Sequence, residues 1–347
     1  MTALLDEQHL IPWLEAHVPG FSGFQGLEKF DQGQSNPTFK VSANSGTYVL
    51  RAKPPGELLK SAHAVDREFR VMNALGPSKV PVPKMLALSE EGAQSPIGRM
   101  FFVMEYLDGR IFWDPVIPEC GDDKASRWAI YDAMNETLAH LHNVDVNAAG
   151  LETFGKPGSY FARQTDRWAK QYRASEVEHN QTVHDVIEWL EVHMPEDDGV
   201  VSVVHGDYRL DNMIFAPDKD EVIAVLDWEL STLGHPLADL AYQCMQWRLP
   251  HDSGMRGLGG IDRAALGIPT EEEYVAAYCK RRGIDSIPDW PFYIVFCFFK
   301  LTGILQGVYK RALDGNASNP KRAKEMSFAI PLLAQAAKQE IDKYEAA

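Results

Sequence analysis

Three oxygen-bearing side chains stand at spacings that suit phosphoryl transfer. Asp207 and Asn212 lie five residues apart in the segment His-Gly-Asp-Tyr-Arg-Leu-Asp-Asn (205–212), and Asp227 follows in Val-Leu-Asp-Trp-Glu (225–229). A carboxylate can accept the proton of an attacking hydroxyl and orient its oxygen. Mg²⁺ takes a few hard oxygen ligands from the protein, with phosphates and water supplying the rest. These residue types predict Asp207 as the catalytic base and Asn212 and Asp227 as ligands of Mg²⁺.

The surroundings of this segment make the prediction specific. Aspartate and asparagine at this spacing are common by chance, and the alternative is a helix-capping aspartate with two turn residues. Here the apolar run Val200–Val204 precedes the segment, and two apolar stretches, Met213–Phe215 and Glu221–Asp227, follow it. Two such stretches predict a β-hairpin that holds Asn212 near Asp227. The context favours the catalytic interpretation.

Together with Gly-x-Pro-x-x-Asp (234–239), these motifs resemble the aminoglycoside phosphotransferase and choline kinase family. The resemblance implies an α+β, bilobal, protein-kinase-like fold. A small β-rich N-lobe would span residues 1–106, and a large, mainly helical C-lobe would span residues 107–347. It also implies ATP as phosphoryl donor and a small-molecule hydroxyl as acceptor. In this interpretation Asp239 holds the catalytic loop by hydrogen bonds, and His205 is a buried part of the same scaffold.

Three further stretches resemble one branch of that family. They are Tyr48–Gly56, Ser61–Glu68 and Val80–Pro83. The branch comprises kinase-like domains fused to, or encoded beside, acyl-CoA dehydrogenases. It implies a hydroxylated acyl group, carried as a CoA thioester, as the acceptor.

The resemblance also assigns a phosphate-binding cation to the strand before the second helix. Arg51 and Lys53 are both candidates, because residues two apart share one face of a strand. Val-Leu-Arg (49–51) matches the end of the kinase strand motif Val-Ala-Ile-Lys, so Arg51 is the first choice. Glu68, on the apolar face of the next helix, would pair with that cation. The alternatives are two solvated strand cations and an ordinary surface pair.

The nucleotide would meet two further segments. The loop Asp-Gln-Gly-Gln-Ser-Asn-Pro-Thr (31–38) offers Gly33 for close backbone approach and hydrogen-bond donors from Ser35, Asn36 and Thr38. Its alternative is a plain hairpin turn. The linker Met-Glu-Tyr-Leu (104–107) would present backbone groups to adenine, which makes Glu105 and Leu107 candidates. The sequence contains no Gly-x₄-Gly-Lys-Ser/Thr loop, which excludes the other main ATP-binding design.

Acceptor contacts are expected beside the catalytic loop. The candidates are Arg209, Trp228, Glu229 and Tyr242. Arginines at 110, 209 and 248 favour an anionic or amphiphilic acceptor over a polycation. Alternatively, Arg209 binds a carbonyl or an acidic neighbour within the protein.

Composition narrows the class of protein. The formal net charge is −15, with 45% hydrophobic and 24% charged residues, as in a folded globular chain. Nucleic-acid and anionic-membrane surfaces need clustered Lys and Arg, so neither partner is expected. Acidic residues near the N-terminus and four dispersed cysteines predict a cytoplasmic protein without a signal peptide.

Two other functions fit parts of the pattern. A nucleotide-binding pseudokinase, acting as a regulatory module, would share the fold, but degenerate members of that class usually lose one of the three positions that are present here. A protein kinase is disfavoured, because Gly234 follows only seven residues after Asp227 and leaves no room for a long peptide-docking segment.

The hydrophobic periodicity predicts the elements that must position these residues. Strands are expected at Thr38–Ser42, Thr47–Lys53, Met100–Tyr106, Val200–Val204, Met213–Phe215 and Glu221–Asp227. Helices are expected at Leu4–His17, Ser61–Leu75, Lys124–Val144, Arg163–Glu178, Thr182–His193, 236–248, 271–282, 291–313 and 321–344.

Overall fold

The computed structural model describes residues 5–30, 36–55, 64–316 and 319–346. In chain order its elements are α1 (Glu7–His17), β1 (Phe24–Lys29), β2 (Thr38–Ala43), β3 (Gly46–Ala52), α2 (Val65–Leu75), β4 (Met85–Leu88), β5 (Phe101–Glu105), α3 (Lys124–His142), α4 (Tyr160–Ser175), α5 (Gln181–Val192), β6 (Ser202–Val204), β7 (Met213–Phe215), β8 (Val222–Val225), β9 (Thr232–Gly234), α6 (Leu237–Cys244), α7 (Arg263–Leu266), α8 (Glu271–Arg282), α9 (Trp290–Leu313), α10 (Pro320–Glu325) and α11 (Ala329–Glu345).

The chain divides into two compact units. The first comprises Met1–Ile111, Asn147–Phe154 and Asn212–Ser231, and the second comprises Phe112–Val146, Gly155–Asp211 and Thr232–Ala347. The first division lies close to the predicted boundary at residue 106. The hairpin at 212–231, however, groups with the first unit, whereas the sequence placed it in the C-terminal lobe.

Backbone hydrogen bonds explain this grouping. Arg110 and Phe215 exchange two backbone bonds, with N···O distances of 2.9 and 2.8 Å, and the Val225 N–H donates to the Pro81 carbonyl at 2.9 Å. Gly109 permits this approach, since a Cβ atom there would lie 2.3 Å from the Phe215 carbonyl oxygen. The hairpin β7–β8 is therefore hydrogen-bonded both to the segment before β4 and to the segment after β5.

An antiparallel five-stranded sheet of order β1-β2-β3-β5-β4 forms the centre of the first unit. Alternation along β3 buries Leu50 and Ala52 in the core that includes Leu10 and Leu14 of α1. Because side chains alternate between faces, Arg51 points to the opposite face. The register pairs Arg51 with Thr38 on β2 and with Phe102 on β5.

Helices dominate the second unit, with α9 at the centre. The run from Phe292 to Phe299 is entirely buried, as expected for a core segment. Helices α4, α5, α6, α10 and α11 pack around α9. By length and composition α9 would suffice to cross a bilayer, but 78% of its apolar stretch is buried within the protein.

Some predicted elements differ from the observed ones. The single helix expected at 321–344 is two helices, α10 and α11, separated by a 3₁₀ turn at Met326–Phe328. Pro331 lacks an N–H and therefore favours the first turn of a new helix. Strands β1, β4 and β9 and the short helix α7 are absent from the predicted elements. Strand β9 has three residues and depends on pairing with β6, which local periodicity cannot reveal.

Gly109→Ala tests the packing of the hairpin. We expect the free energy of unfolding to fall by about 1–3 kcal/mol, because the added methyl group meets a backbone oxygen that cannot move freely. Gly26→Ala is the matched control, since a Cβ atom at Gly26 meets nothing within 4 Å. Urea denaturation measures both variants. Equal stabilities of the two variants would contradict this account of the hairpin.

Candidate functional site

Arg51 is the centre of an ion-pair cluster in the first unit. Its Nε lies 2.9 Å from Glu68 Oε2, and its Nη2 lies 2.9 Å from Asp227 Oδ1. Glu68, on α2, is 1% exposed, whereas the Asp227 side chain is 38% exposed. The predicted pair of Arg51 with Glu68 is therefore present, and Asp227 joins it.

The buried carboxylate of Glu68 has a second donor. Asn36 Nδ2 donates to Glu68 Oε1 at 2.7 Å, so one N–H of this predicted nucleotide contact is bonded within the protein. Burial raises the pKa of Glu68 to about 7, although the nearby Arg51 opposes the shift. Thr38 Oγ1 donates to the Asn36 carbonyl and lies 3.4 Å from an Arg51 donor.

The other predicted nucleotide contacts are dispersed. Lys53 follows the end of β3, and its ammonium pairs with Glu91 at 2.9 Å, so Arg51 alone of the two strand cations reaches Glu68. Glu105 ends β5 and accepts the Lys84 N–H at 2.6 Å, and Leu107 follows outside any helix or strand. The predicted contacts Gly33 and Ser35 lie outside the described residues.

The hairpin β7–β8 brings the two predicted metal ligands to one end. Asn212 precedes β7, and its carbonyl accepts the Leu226 N–H at 2.8 Å. Asp227 comes directly after Leu226 and has a left-handed backbone, with φ of 64°. A non-glycine residue in this conformation is strained, which is a common feature of functional sites. One carboxylate and one amide on adjacent strand ends form a hard oxygen donor set that fits Mg²⁺.

The position of Trp228, directly after Asp227, contradicts one prediction. Trp228 was predicted to contact the acceptor, but its side chain is fully buried and its Nε1 donates to the Val225 carbonyl at 2.9 Å. An indole with its only donor satisfied inside the core supports the hairpin instead. Glu229 is half-buried in the first unit, where its charge acts on Arg51 and Glu68.

In the second unit, Asp239 binds the start of the predicted catalytic segment, residues 205–212. This carboxylate is 1% exposed and accepts the backbone N–H groups of His205 at 2.6 Å and Gly206 at 2.8 Å. His142 Nε2 lies 3.3 Å from the same carboxylate, and His142 Nδ1 lies 2.7 Å from the Tyr278 hydroxyl. His205 is fully buried, and its Nδ1 accepts the Asp207 N–H at 3.2 Å. The backbone on both sides of Gly206 is thus held by buried groups.

Asp207 is the next residue in this loop, and neighbouring groups stabilise its charged form. Burial by itself would raise the pKa of Asp207, but Arg209, a hydrogen bond with Tyr242, and Lys300 outweigh it and hold the pKa below its usual range. Arg209 Nε lies 3.1 Å from Asp207 Oδ1, and an Arg209 Nη lies 3.3 Å from Asp211. The carboxylate of Asp207 is therefore ionised at neutral pH.

Side chains that were predicted to contact the acceptor around this loop have partners within the protein. Arg209 binds two acidic neighbours, the alternative that the sequence left open, and remains 37% exposed. Tyr242 is buried, with its hydroxyl bonded to Asp207. Arg248 pairs with Glu271 and Glu340, and Arg110 donates to carbonyls and to Asp220 in the first unit. Because all three arginines pair with carboxylates within the protein, their charge does not support an anionic acceptor.

Lys300 is a residue of this site that the sequence analysis missed. It lies on α9, is 7% exposed, donates to the Gly206 carbonyl at 2.7 Å, and places its ammonium 5.1 Å from the centre of the Tyr242 ring. A lone lysine inside an apolar helix was the available signal, since a buried charge requires a specific partner. Lys300 stabilises the loop and the ionised form of Asp207.

The His142–Asp239 contact predicts a pH dependence of stability. Burial lowers the pKa of His142 despite the nearby Asp239, so the unfolded chain binds the additional proton first as the pH falls. The contribution of His142 to the free energy of unfolding should therefore decrease as the pH drops through about 6.5, by up to about 1.4 kcal/mol per pH unit, while Glu68, with its raised pKa, contributes in the opposite direction. Chemical denaturation between pH 8 and 5 measures this slope. His142→Gln should flatten it, whereas His140→Gln on the same helix should leave it unchanged; equal slopes in both would contradict the assignment.

Comparisons with known proteins identify the family of this chain. The sequence profile of the phosphotransferase enzyme family matches residues 26–290. Mouse acyl-CoA dehydrogenase family member 10 is 48% identical over 312 residues, which cover 88% of this chain and 29% of that protein. The chain thus spans less than a third of the length of this relative, whose name agrees with the predicted branch.

Solved structures agree on the fold. A Ralstonia eutropha protein assigned as an aminoglycoside phosphotransferase is 46% identical, covers 98% of this chain and 99% of its own, and superposes with a TM-score of 0.88. Spectinomycin phosphotransferase, solved with ADP and spectinomycin, is 11% identical, covers 98% and 99% of the two chains, and gives a TM-score of 0.64. The predicted kinase-like fold, with an antiparallel sheet in the N-terminal part and a helical C-terminal part, is confirmed. The chain belongs to the phosphotransferase enzyme family.

Proposed function

We propose that this protein transfers the γ-phosphoryl group of ATP to a hydroxyl group of a small molecule. The observation that carries the proposal is Asp207, an ionised carboxylate on a loop held from both sides by Asp239 and Lys300. A general base must be fixed in position and deprotonated at the working pH. Membership of a phosphotransferase family supports the same reaction class.

Asp207 orients the acceptor hydroxyl and takes its proton as the new P–O bond forms and the bond from the γ-phosphorus to the leaving ADP oxygen breaks. Phosphoryl transfer depends mainly on positioning and on stabilising charge, so a rigid loop is more useful than a mobile one. The hydrogen bond from Tyr242 and the charge of Arg209 keep Asp207 ionised before the acceptor arrives.

The donor side is assigned to the first unit. Arg51, held between Glu68 and Asp227, supplies a guanidinium whose planar donors match phosphate oxygens. Asn212 and Asp227 would hold Mg²⁺, which when bound neutralises the phosphate charge. The likeness to a phosphotransferase solved with ADP supports a nucleotide donor.

The acceptor is proposed to be a hydroxylated acyl compound. The support is the similarity to an acyl-CoA dehydrogenase family member, because a kinase fused to such an enzyme would act on the same acyl group. The three relevant arginines give little support of their own, since Arg110 and Arg248 bind groups within the protein.

Asp207→Ala tests the catalytic base. We expect turnover to fall by at least ~10²-fold because a positioned general base is lost. Nucleotide affinity should be retained, since Asp207 is not assigned to the donor side. Transfer of label from γ-labelled ATP into a metabolite extract, with Mg²⁺, measures turnover and isolates the acceptor. Undiminished labelling by the Asp207→Ala protein would reject the assignment.

Arg51→Met and Lys53→Met form a matched pair for the donor side. We expect Arg51→Met to raise the KM for ATP roughly tenfold or more, as for the loss of a charged hydrogen bond of about 1.5 kcal/mol. Lys53→Met should change it little, because Lys53 pairs with the exposed Glu91. Arg51→Lys, which keeps the charge, should lie between them. Steady-state kinetics measure all three, and a larger effect at Lys53 would reverse the choice.

A further inference from the structure

A compact group of metal-ligating side chains lies on the connection between α4 and α5. It consists of Glu176, His179 and His184, which share no residue with the candidate phosphotransfer site. We propose that this group, called here the His₂Glu cluster, is a binding site for a divalent transition metal, with Zn²⁺ the best-fitting ion. Two imidazoles and one carboxylate are a common zinc ligand set that leaves a fourth position open to water.

The distances suit an ion at the centre of the cluster. One ligand atom from each residue can be chosen so that all three lie within 4.8 Å of one another. His179 Nδ1 lies 3.6 Å from Glu176 Oε1, and His184 Nε2 lies 2.9 Å from the same oxygen. Two tetrahedral ligands, each at about 2.1 Å from a zinc ion, are roughly 3.4 Å apart. The contacts of His184 Nε2 with the two carboxylate oxygens, at 2.9 and 3.1 Å, are hydrogen bonds that a bound ion would replace. Small side-chain rotations would then convert the cluster into a zinc site.

The hydrogen bonds around His179 leave a lone pair directed at the carboxylate. Gln181 Nε2 donates to Asp185 at 2.8 Å, so the Gln181 Oε1 oxygen is available as an acceptor for His179 Nε2 at 3.2 Å. This arrangement places the ring proton of neutral His179 on Nε2. Its Nδ1 then faces Glu176 as an acceptor opposite an acceptor, at a distance too long for a hydrogen bond. A cation between these two atoms removes the repulsion.

Neighbouring groups fix the other two ligands. Glu176 Oε1 accepts the Asn180 N–H at 3.1 Å, which sets the direction of the carboxylate. The His179 and His184 rings stack with centroids 4.8 Å apart, and the Tyr172 ring packs edge-on against His184. The hydrogen bonds that link Asp185, Gln181 and His179 are of the type that orients metal-bound histidines from outside the ligand set. Imidazole ligands favour Zn²⁺, Cu²⁺ or Ni²⁺ over Mg²⁺.

A bound ion would join the end of α4 to the beginning of α5. Glu176 follows the last residue of α4, and His184 lies in the first turns of α5. Both helices pack on α9. The ion should therefore raise the melting temperature, because it binds the folded chain only.

Titration of the full chain with Zn²⁺ alone as the probe tests the proposal. Excess Mg²⁺ in the buffer occupies the candidate ligands Asn212 and Asp227. We expect one equivalent of Zn²⁺ in isothermal calorimetry, with affinity at least tenfold lower in Glu176→Gln and in His184→Gln. His193→Gln, at the end of α5 where the ring bonds to the Trp189 carbonyl, is the matched control and should bind as the wild type does.

Two further measurements keep the test decisive. Gln181→Ala leaves all three ligands in place and should still weaken Zn²⁺ binding, because it releases the ring of His179. Co²⁺ should give visible d–d absorption bands in the wild type and in His193→Gln, and lose them in His184→Gln. Absence of Zn²⁺ binding at millimolar concentration, or equal binding by wild type and both ligand variants, would overturn the proposal. Neither result depends on phosphotransferase activity.

Discussion

A carboxylate that is removed from water must be given partners, and two such carboxylates organise this protein. Glu68 in the first unit and Asp239 in the second are each 1% exposed. Leaving either unpaired would cost several kcal/mol, so the surrounding chain is built to supply donors. Glu68 pairs with Arg51 and accepts a hydrogen bond from Asn36. Asp239 accepts hydrogen bonds from two backbone N–H groups, those of residues 205 and 206. Each buried charge thereby fixes the residues on which the chemistry depends.

The two carboxylates act differently because their partners differ. Glu68 binds the side-chain cation Arg51 through Nε, and Arg51 Nη2 contacts Asp227. Asp239 holds backbone, so it sets the path of residues 205–206 and leaves the next side chain, Asp207, to face other groups. A cation on the far side, Lys300, binds the carbonyl of Gly206 and completes the support. The loop is therefore fixed by charge on two sides.

Much of the site could be predicted because its motifs are local. Asp207, Asn212 and Asp227 occur within 21 residues, and two short apolar runs mark the strands of the hairpin between Asn212 and Asp227. Of the two strand cations, only Arg51 lies within β3 and pairs with Glu68, and its role toward phosphates stays a prediction. The wrong assignments have a common cause. Trp228, Arg110 and Arg248 are residue types that bind ligands well, and the same properties satisfy partners within the protein.

The sequence by itself determined the family, the kinase-like class of fold and the residue types of the catalytic segment, because short-range spacing and periodicity encode them. Only the tertiary structure decided which polar groups remain available. Lys300 comes 93 residues after Asp207 in the chain, yet its charge acts on that carboxylate, and the His₂Glu cluster depends on how two helices are joined. The physical reason is that burial and pairing are long-range properties, set by packing and not by neighbours in sequence.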